Sequence, residues 1–144
     1  MIEYVTIGTN DLDASKRFYD AVLEPLGGRL LIASPKMIFY CGNGDTMLAI
    51  AIPYDGQSCS AGNGSMFGLR ATSHAVVDQV YATALLNGAT SEGAPGFRTP
   101  EMYIAYFRDP CGNKLAVYDM PSVDAFAAGA RKMVQDMIRQ EVAP

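Results

Sequence analysis

The residues able to do chemistry are few and scattered. His74 is the only histidine, and three cysteines, Cys41, Cys59 and Cys111, stand far apart with no CxxC pair. His74 follows Ser73 where a helix is expected to begin, so an exposed first-turn residue is a better reading than a ligand or base. Cys111 lies in a turn with Asp109 nearby and no histidine beside it, which argues against a nucleophile. Gly62-Asn63-Gly64 lacks the lysine and the following helix of a phosphate-binding loop. Arg70 could hold an anionic ligand, or simply reach solvent from a strand end. Tyr40, Tyr103, Tyr106 and Tyr118 fall on expected strands, where they could stack on a flat ligand or fill a core.

The elements that must position these residues follow from periodicity. Residues 2–8 alternate as a strand, with Val5 and Ile7 on one face and Tyr4 and Thr6 on the other. Asn10 reads as a helix cap, and Leu12, Phe18, Tyr19, Val22, Leu23 and Leu26 form a helical stripe closed by Pro25 and Gly27-Gly28. Strands are expected at 29–33, 37–41 and 46–52. A small, polar, glycine-rich stretch at 53–64 reads as a linker. The pattern then restarts: a strand at 65–71, a helix with Val76, Val77, Val80, Tyr81 and Ala84 on its stripe, and strands near 89–92, 102–108 and 113–119. Asp109-Pro110-Cys111-Gly112-Asn113 forms the turn of the last hairpin.

Strand-helix-strand-strand-strand thus occurs twice. At an offset of 62 residues Tyr4 falls on Met66 and Tyr19 on Tyr81; after a six-residue insertion Leu48 falls on Ala116. The expected architecture is α+β: two βαβββ modules forming a curved mixed sheet around a shared cleft. Residues 1–120 make one paired-module domain, with module one at 1–52, the linker at 53–64 and module two at 65–120. Residues 121–144 make a C-terminal helical extension with a stripe of Val123, Phe126, Ala130, Met133 and Met137, placed against the outer face of the sheet or a second subunit.

Composition limits the rest. The 144 residues are 49% hydrophobic and 18% charged, with a net charge of −4 and no apolar run long enough for a bilayer. The balance disfavours a general nucleic-acid partner, and a start lacking a basic, apolar leader implies a soluble cytoplasmic protein.

Val5 through Leu12, Phe18 through Leu23 and the Tyr106–Leu115 hairpin together resemble the vicinal oxygen chelate superfamily. Its members include glyoxalase I, extradiol dioxygenases and the fosfomycin- and bleomycin-resistance proteins. The resemblance implies a divalent metal held by His and Glu at inward positions of the first and last strand of each module. Here those positions are assigned to Tyr4, Leu48, Met66 and Ala116, none of them a ligand, so no metal and no other cofactor is expected. The reading is a homodimer that binds an apolar or aromatic small molecule through Tyr4, Leu48, Met66, Arg70, Tyr103, Ala116 and Tyr118, with no catalytic residue assigned. The competing reading is a glyoxalase I-like lyase or isomerase with an altered or metal-independent site.

Overall fold

The structure is a computed structural model and describes residues 2–142. Its elements run β1 (Tyr4–Gly8), α1 (Leu12–Leu23), β2 (Arg29–Ala33), β3 (Met37–Cys41), β4 (Met47–Ala51), β5 (Phe67–Arg70), α2 (His74–Leu86), β6 (Thr90–Thr99), β7 (Met102–Arg108), β8 (Lys114–Asp119) and α3 (Val123–Val142). The α+β class and the doubled strand-helix-strand-strand-strand order are as expected. Hydrogen bonding divides the eight strands into two four-stranded mixed sheets, ordered β1-β4-β3-β2 and β5-β8-β7-β6. In each, the first strand pairs parallel with the last and the remaining pairs are antiparallel.

Local chemistry explains most boundaries. Asp11, one residue beyond the expected Asn10, caps α1: its Oδ1 accepts from the Ala14 amide at 2.9 Å. A short 3-10 turn, Glu24–Leu26, ends at Gly27 with φ 72°, which suits a residue without Cβ. Ser73 caps α2 and Ser122 caps α3, through the amides of Val76 and Ala125.

The largest boundary difference is β6. Its ten residues include Gly93, Pro95 and Gly96, and its pairing with β7 shifts register three times. Proline and glycine obscure such a strand in the sequence, but an edge position tolerates a missing amide donor and local bulges. β6 occupies the edge of its sheet.

One core joins both modules. Phe18, Tyr19 and Val22 of α1 and Val77, Val80 and Ala84 of α2 cluster with Ile7, Tyr40, Leu48 and Ile50 of the first sheet and Phe107, Leu115 and Val117 of the second. These side chains come from one face of each sheet. Neither module covers that face alone, so the repeat is also the means of burial. Helix α3 contributes nothing to this cluster; Val123, Phe126, Met133 and Met137 of its expected stripe are exposed, as are Val134 and Ile138 beside it. In place of the expected packing of the stripe on a sheet, α3 meets the second module at Gly129, against the Glu101 carboxylate.

Candidate functional site

Strand register decides which side chains share a face. In the first module Tyr4 pairs with Met47 and Val5 with Leu48. Tyr4 therefore faces away from the helices, 6.1 Å centroid to centroid from Phe39, whereas Leu48 points into the core. In the second module Phe67 pairs with Leu115 and Gly68 with Ala116. The structural counterpart of Ala116 is thus Ala49, which pairs with Thr6, and the counterpart of Leu48 is Leu115. The placement of Leu48 beside Tyr4 is corrected by one residue. A slip of one reverses the face, because strand side chains alternate.

The other expected site residues also separate. Met66 lies just before β5 and is half exposed; Arg70, Ala116 and Tyr118 share the face of Gly68, where a Cβ would come within 2.8 Å of the Tyr118 ring. Tyr103 pairs with Asp119 and belongs to the opposite face. It stacks on His74 at 4.4 Å, meets Phe97 edge-on at 5.2 Å and donates a 2.9 Å hydrogen bond to Asp78. That bond, together with partial desolvation, raises the phenol above its usual range. His74 is therefore more than a solvated first-turn residue: it joins an aromatic trio, and its Nε2 lies 3.5 Å from Asp119. Arg70 is committed too, since Nη2 donates to the Met120 carbonyl at 3.1 Å and approaches that of Pro121 at 3.5 Å. It holds the chain leading into α3.

A cavity of about 840 Å³ lies between the modules. Val5, Leu26 and Leu48 line it from one module, Phe67 and Leu69 from the other, and Arg70 and Asp119 stand among its polar lining. Of the seven expected site residues it takes Leu48 and Arg70; Tyr4, Met66, Tyr103, Ala116 and Tyr118 lie outside its lining. Tyr40 contributes to the wall, while its hydroxyl is spent on α1, 2.7 Å from Asp20 Oδ1 and 3.2 Å from the Lys16 carbonyl. Burial, then the Asp20 carboxylate, pushes the Tyr40 phenol far up, so it stays neutral. Periodicity could not reveal a space between two modules, since no single strand encodes it.

The turn Asp109–Asn113 proves to be a bolt between modules. Asp109 and Asn113 are buried. Asp109 Oδ1 accepts from the Cys111 and Asn113 amides at 2.9 and 2.8 Å, and Oδ2 from Tyr19 and Asn113 Nδ2 at 2.7 and 2.8 Å. Asn113 Nδ2 also reaches the Gly8 carbonyl at 2.9 Å. Burial, reinforced by Asp109, pushes the Tyr19 phenol well up. The carboxylate and amide of the motif thus fix α1, β1 and the last hairpin to one another.

The residues at the divalent-ion positions do not fit an ion. With the corrected register these are Tyr4, Ala49, Met66 and Ala116, and among the described residues no three His, Cys, Asp or Glu side chains gather into a metal-binding group. Fold and site together define a paired-βαβββ protein with an intermodular cavity and without the family's usual ligand set. The model of the Glyoxalase/Bleomycin resistance protein/Dioxygenase superfamily matches residues 1–117, and the chain belongs to that superfamily. A solved glyoxalase/bleomycin resistance protein from Albidiferax ferrireducens T118 is 40% identical, with a TM-score of 0.79 over 84% of this chain and 99% of that one. A lactoylglutathione lyase from Agrobacterium tumefaciens is 25% identical, with a TM-score of 0.61 over 83% of this chain and 92% of its own. A glyoxalase/bleomycin resistance protein/dioxygenase family enzyme from Burkholderia phytofirmans PsJN, at 22% identity and a TM-score of 0.67 over 82% of this chain and 97% of its own, shares the fold. No curated protein matches.

Proposed function

We propose that the protein binds an apolar or aromatic small molecule in the cavity between its modules, without a divalent ion. The observation carrying this reading is the cavity, whose size of about 840 Å³ suits a small organic ligand and whose walls are mostly aliphatic or aromatic. Arg70 and Asp119 supply polarity beside it, and the carbonyls that engage Arg70 hold its guanidinium in place. Binding of this kind needs shape and apolar contact, which the chain has. Activation of two neighbouring substrate oxygens needs strong ligands, which positions Tyr4, Ala49, Met66 and Ala116 do not supply.

The enzyme reading draws on the likeness to a lactoylglutathione lyase. It would require an acid or base in or beside the cavity, and Asp119 is the carboxylate in its lining.

The test is a thermal-shift screen with apolar and aromatic compounds, repeated in chelator. Binding is expected to raise Tm equally with and without chelator, and Leu48→Ala to weaken it. Hits that vanish in chelator and return with Zn²⁺, Ni²⁺ or Mn²⁺ would overturn the metal-free reading. No Tm response to any compound would weigh against ligand binding.

We further infer a homodimer. Exposed Tyr4 and Met66 on the sheet faces and the exposed stripe of α3 support it, since such apolar groups gain by pairing.

A further inference from the structure

Cys59 and Cys111 are far apart in sequence but meet in space. Cys59 lies in the segment joining the modules, and Cys111 in the β7–β8 turn. Both lie against the end of β1 and the residues that follow it. The Cys59 amide donates to Asn10 Oδ1 at 2.7 Å. A Cβ on Gly8 would lie only 2.9 Å from the Cys59 Cβ, so the joining segment runs directly over the end of β1. Cys111 Sγ lies 3.3 Å from Thr9 Oγ1, the residue following Gly8, and the Cys111 amide is fixed by Asp109. The two thiols thus flank Gly8 and Thr9 from two different segments. The Cys111 thiol is near enough to act electrostatically on that of Cys59. Both cysteines are free and half-buried, whereas Cys41 is buried.

We propose that Cys59 and Cys111 form a reversible redox latch, closing to an intrachain disulfide when the protein meets a hydroperoxide. The chemistry balances. One thiolate attacks a peroxide oxygen, the O–O bond breaks, and the departing hydroxide takes a proton to become water. The sulfenic acid formed is attacked by the second sulfur; the S–S bond forms and the S–O bond breaks, releasing a second water. Two thiols lose two protons and two electrons, and one hydrogen peroxide becomes two waters. A dithiol such as dithiothreitol reverses the change by exchange.

The consequence lies in the fold. Asp109 and Asn113 already tie the β7–β8 turn to Tyr19 and Gly8. A disulfide adds the joining segment to the same knot and closes a long loop, which restricts the unfolded chain. Burial, followed by the neighbouring Cys111 and Asp109, pushes the Cys59 thiol up, so a more alkaline medium speeds closure if Cys59 is the attacking sulfur.

The experiment treats the reduced full-length protein with hydrogen peroxide at one equivalent, alkylates the remaining thiols and maps the peptides without reduction. Cys41 and Cys59 share one tryptic peptide, so fragment spectra or a second protease must separate them. The expected result is a Cys59–Cys111 link with Cys41 alkylated, reversed by dithiothreitol and absent in Cys59→Ser and Cys111→Ser. Closure is expected to raise Tm by on the order of 10 °C. Thiols that stay alkylatable, links formed through Cys41 or only between chains, or a Cys59–Cys111 link that leaves Tm unchanged each overturn the latch. None of these readouts depends on the ligand in the cavity, so the latch stands or falls separately from the proposed function.

Discussion

Asp109 shows how one side chain can turn a recurrent motif into a structural requirement. Its two oxygens receive four hydrogen bonds from Tyr19, Cys111 and Asn113 inside a buried site. Removing one neutral donor costs less than removing the shared acceptor, because the latter strands several buried donors. Tyr19→Phe is expected to lower unfolding free energy in urea by about 1–3 kcal/mol, and Asp109→Ala by more than that. Tyr19 also sets an alkaline limit. Its phenol is harder to ionise in the fold than in the unfolded chain, so the folded state holds the extra proton. The stability it contributes is full below about pH 10, the ordinary tyrosine value, and falls as pH rises toward the folded value. Stability measured across this range is expected to fall less steeply in Tyr19→Phe, with Tyr40 still contributing to the slope. At the acid end Asp20 acts oppositely. Burial pushes its carboxyl up, but the hydrogen bonds from Lys16 and Tyr40 outweigh this and leave it lowered. Its contribution is present above the ordinary carboxylate range and is lost as pH falls through the lowered value, so Tyr40→Phe is expected to bring acid unfolding to a higher pH.

At the scale of elements, the parity of β4 is the decisive feature. The run Met47-Leu48-Ala49-Ile50-Ala51 is apolar throughout, so alternation is faint and the offset between modules could be taken one residue too long. Only pairing with β1 and β3 fixes Leu48 and Ile50 toward the helices. Two substitutions separate the registers. Leu48→Ala is expected to cost about 2–5 kcal/mol through the void it leaves, while Tyr4→Ala, at an exposed position, is expected to change stability by less than about 1 kcal/mol. Urea titrations of the two variants check this; equal losses would contradict the register. In the second module the sequence reads β8 correctly because Lys114 and Tyr118 interrupt the apolar run and give it visible alternation.

At the scale of the molecule, the two helices and two sheets close a single core, and α3 stands apart from it. Truncation after Pro121 is accordingly expected to leave the cooperative unfolding of the remainder intact. If α3 and the exposed sheet faces join two subunits, light scattering on a sizing column will show a dimer for the full chain and a weakened dimer, dissociating on dilution, for the truncated one. A full chain that runs as a monomer at every concentration contradicts the paired arrangement. Among the described residues no helix is long and apolar enough to cross a membrane.

The sequence by itself determined the α+β class, the doubled module and the poverty of metal ligands. These rest on local signals: helical stripes, caps, turn residues and the plain identity of side chains. Even the corrected register replaces Leu48 only by Ala49 and leaves the ligand argument as it was. The turn Asp109-Pro110-Cys111-Gly112-Asn113 was legible as a hairpin, but not as the bolt that holds Tyr19 and Gly8. The tertiary structure alone decided where the cavity lies, which faces Tyr4 and Tyr103 occupy, what engages Arg70, and that Cys59 meets Cys111. Each depends on groups remote in sequence brought together by the packing of two modules, and period and propensity describe only what neighbouring residues do.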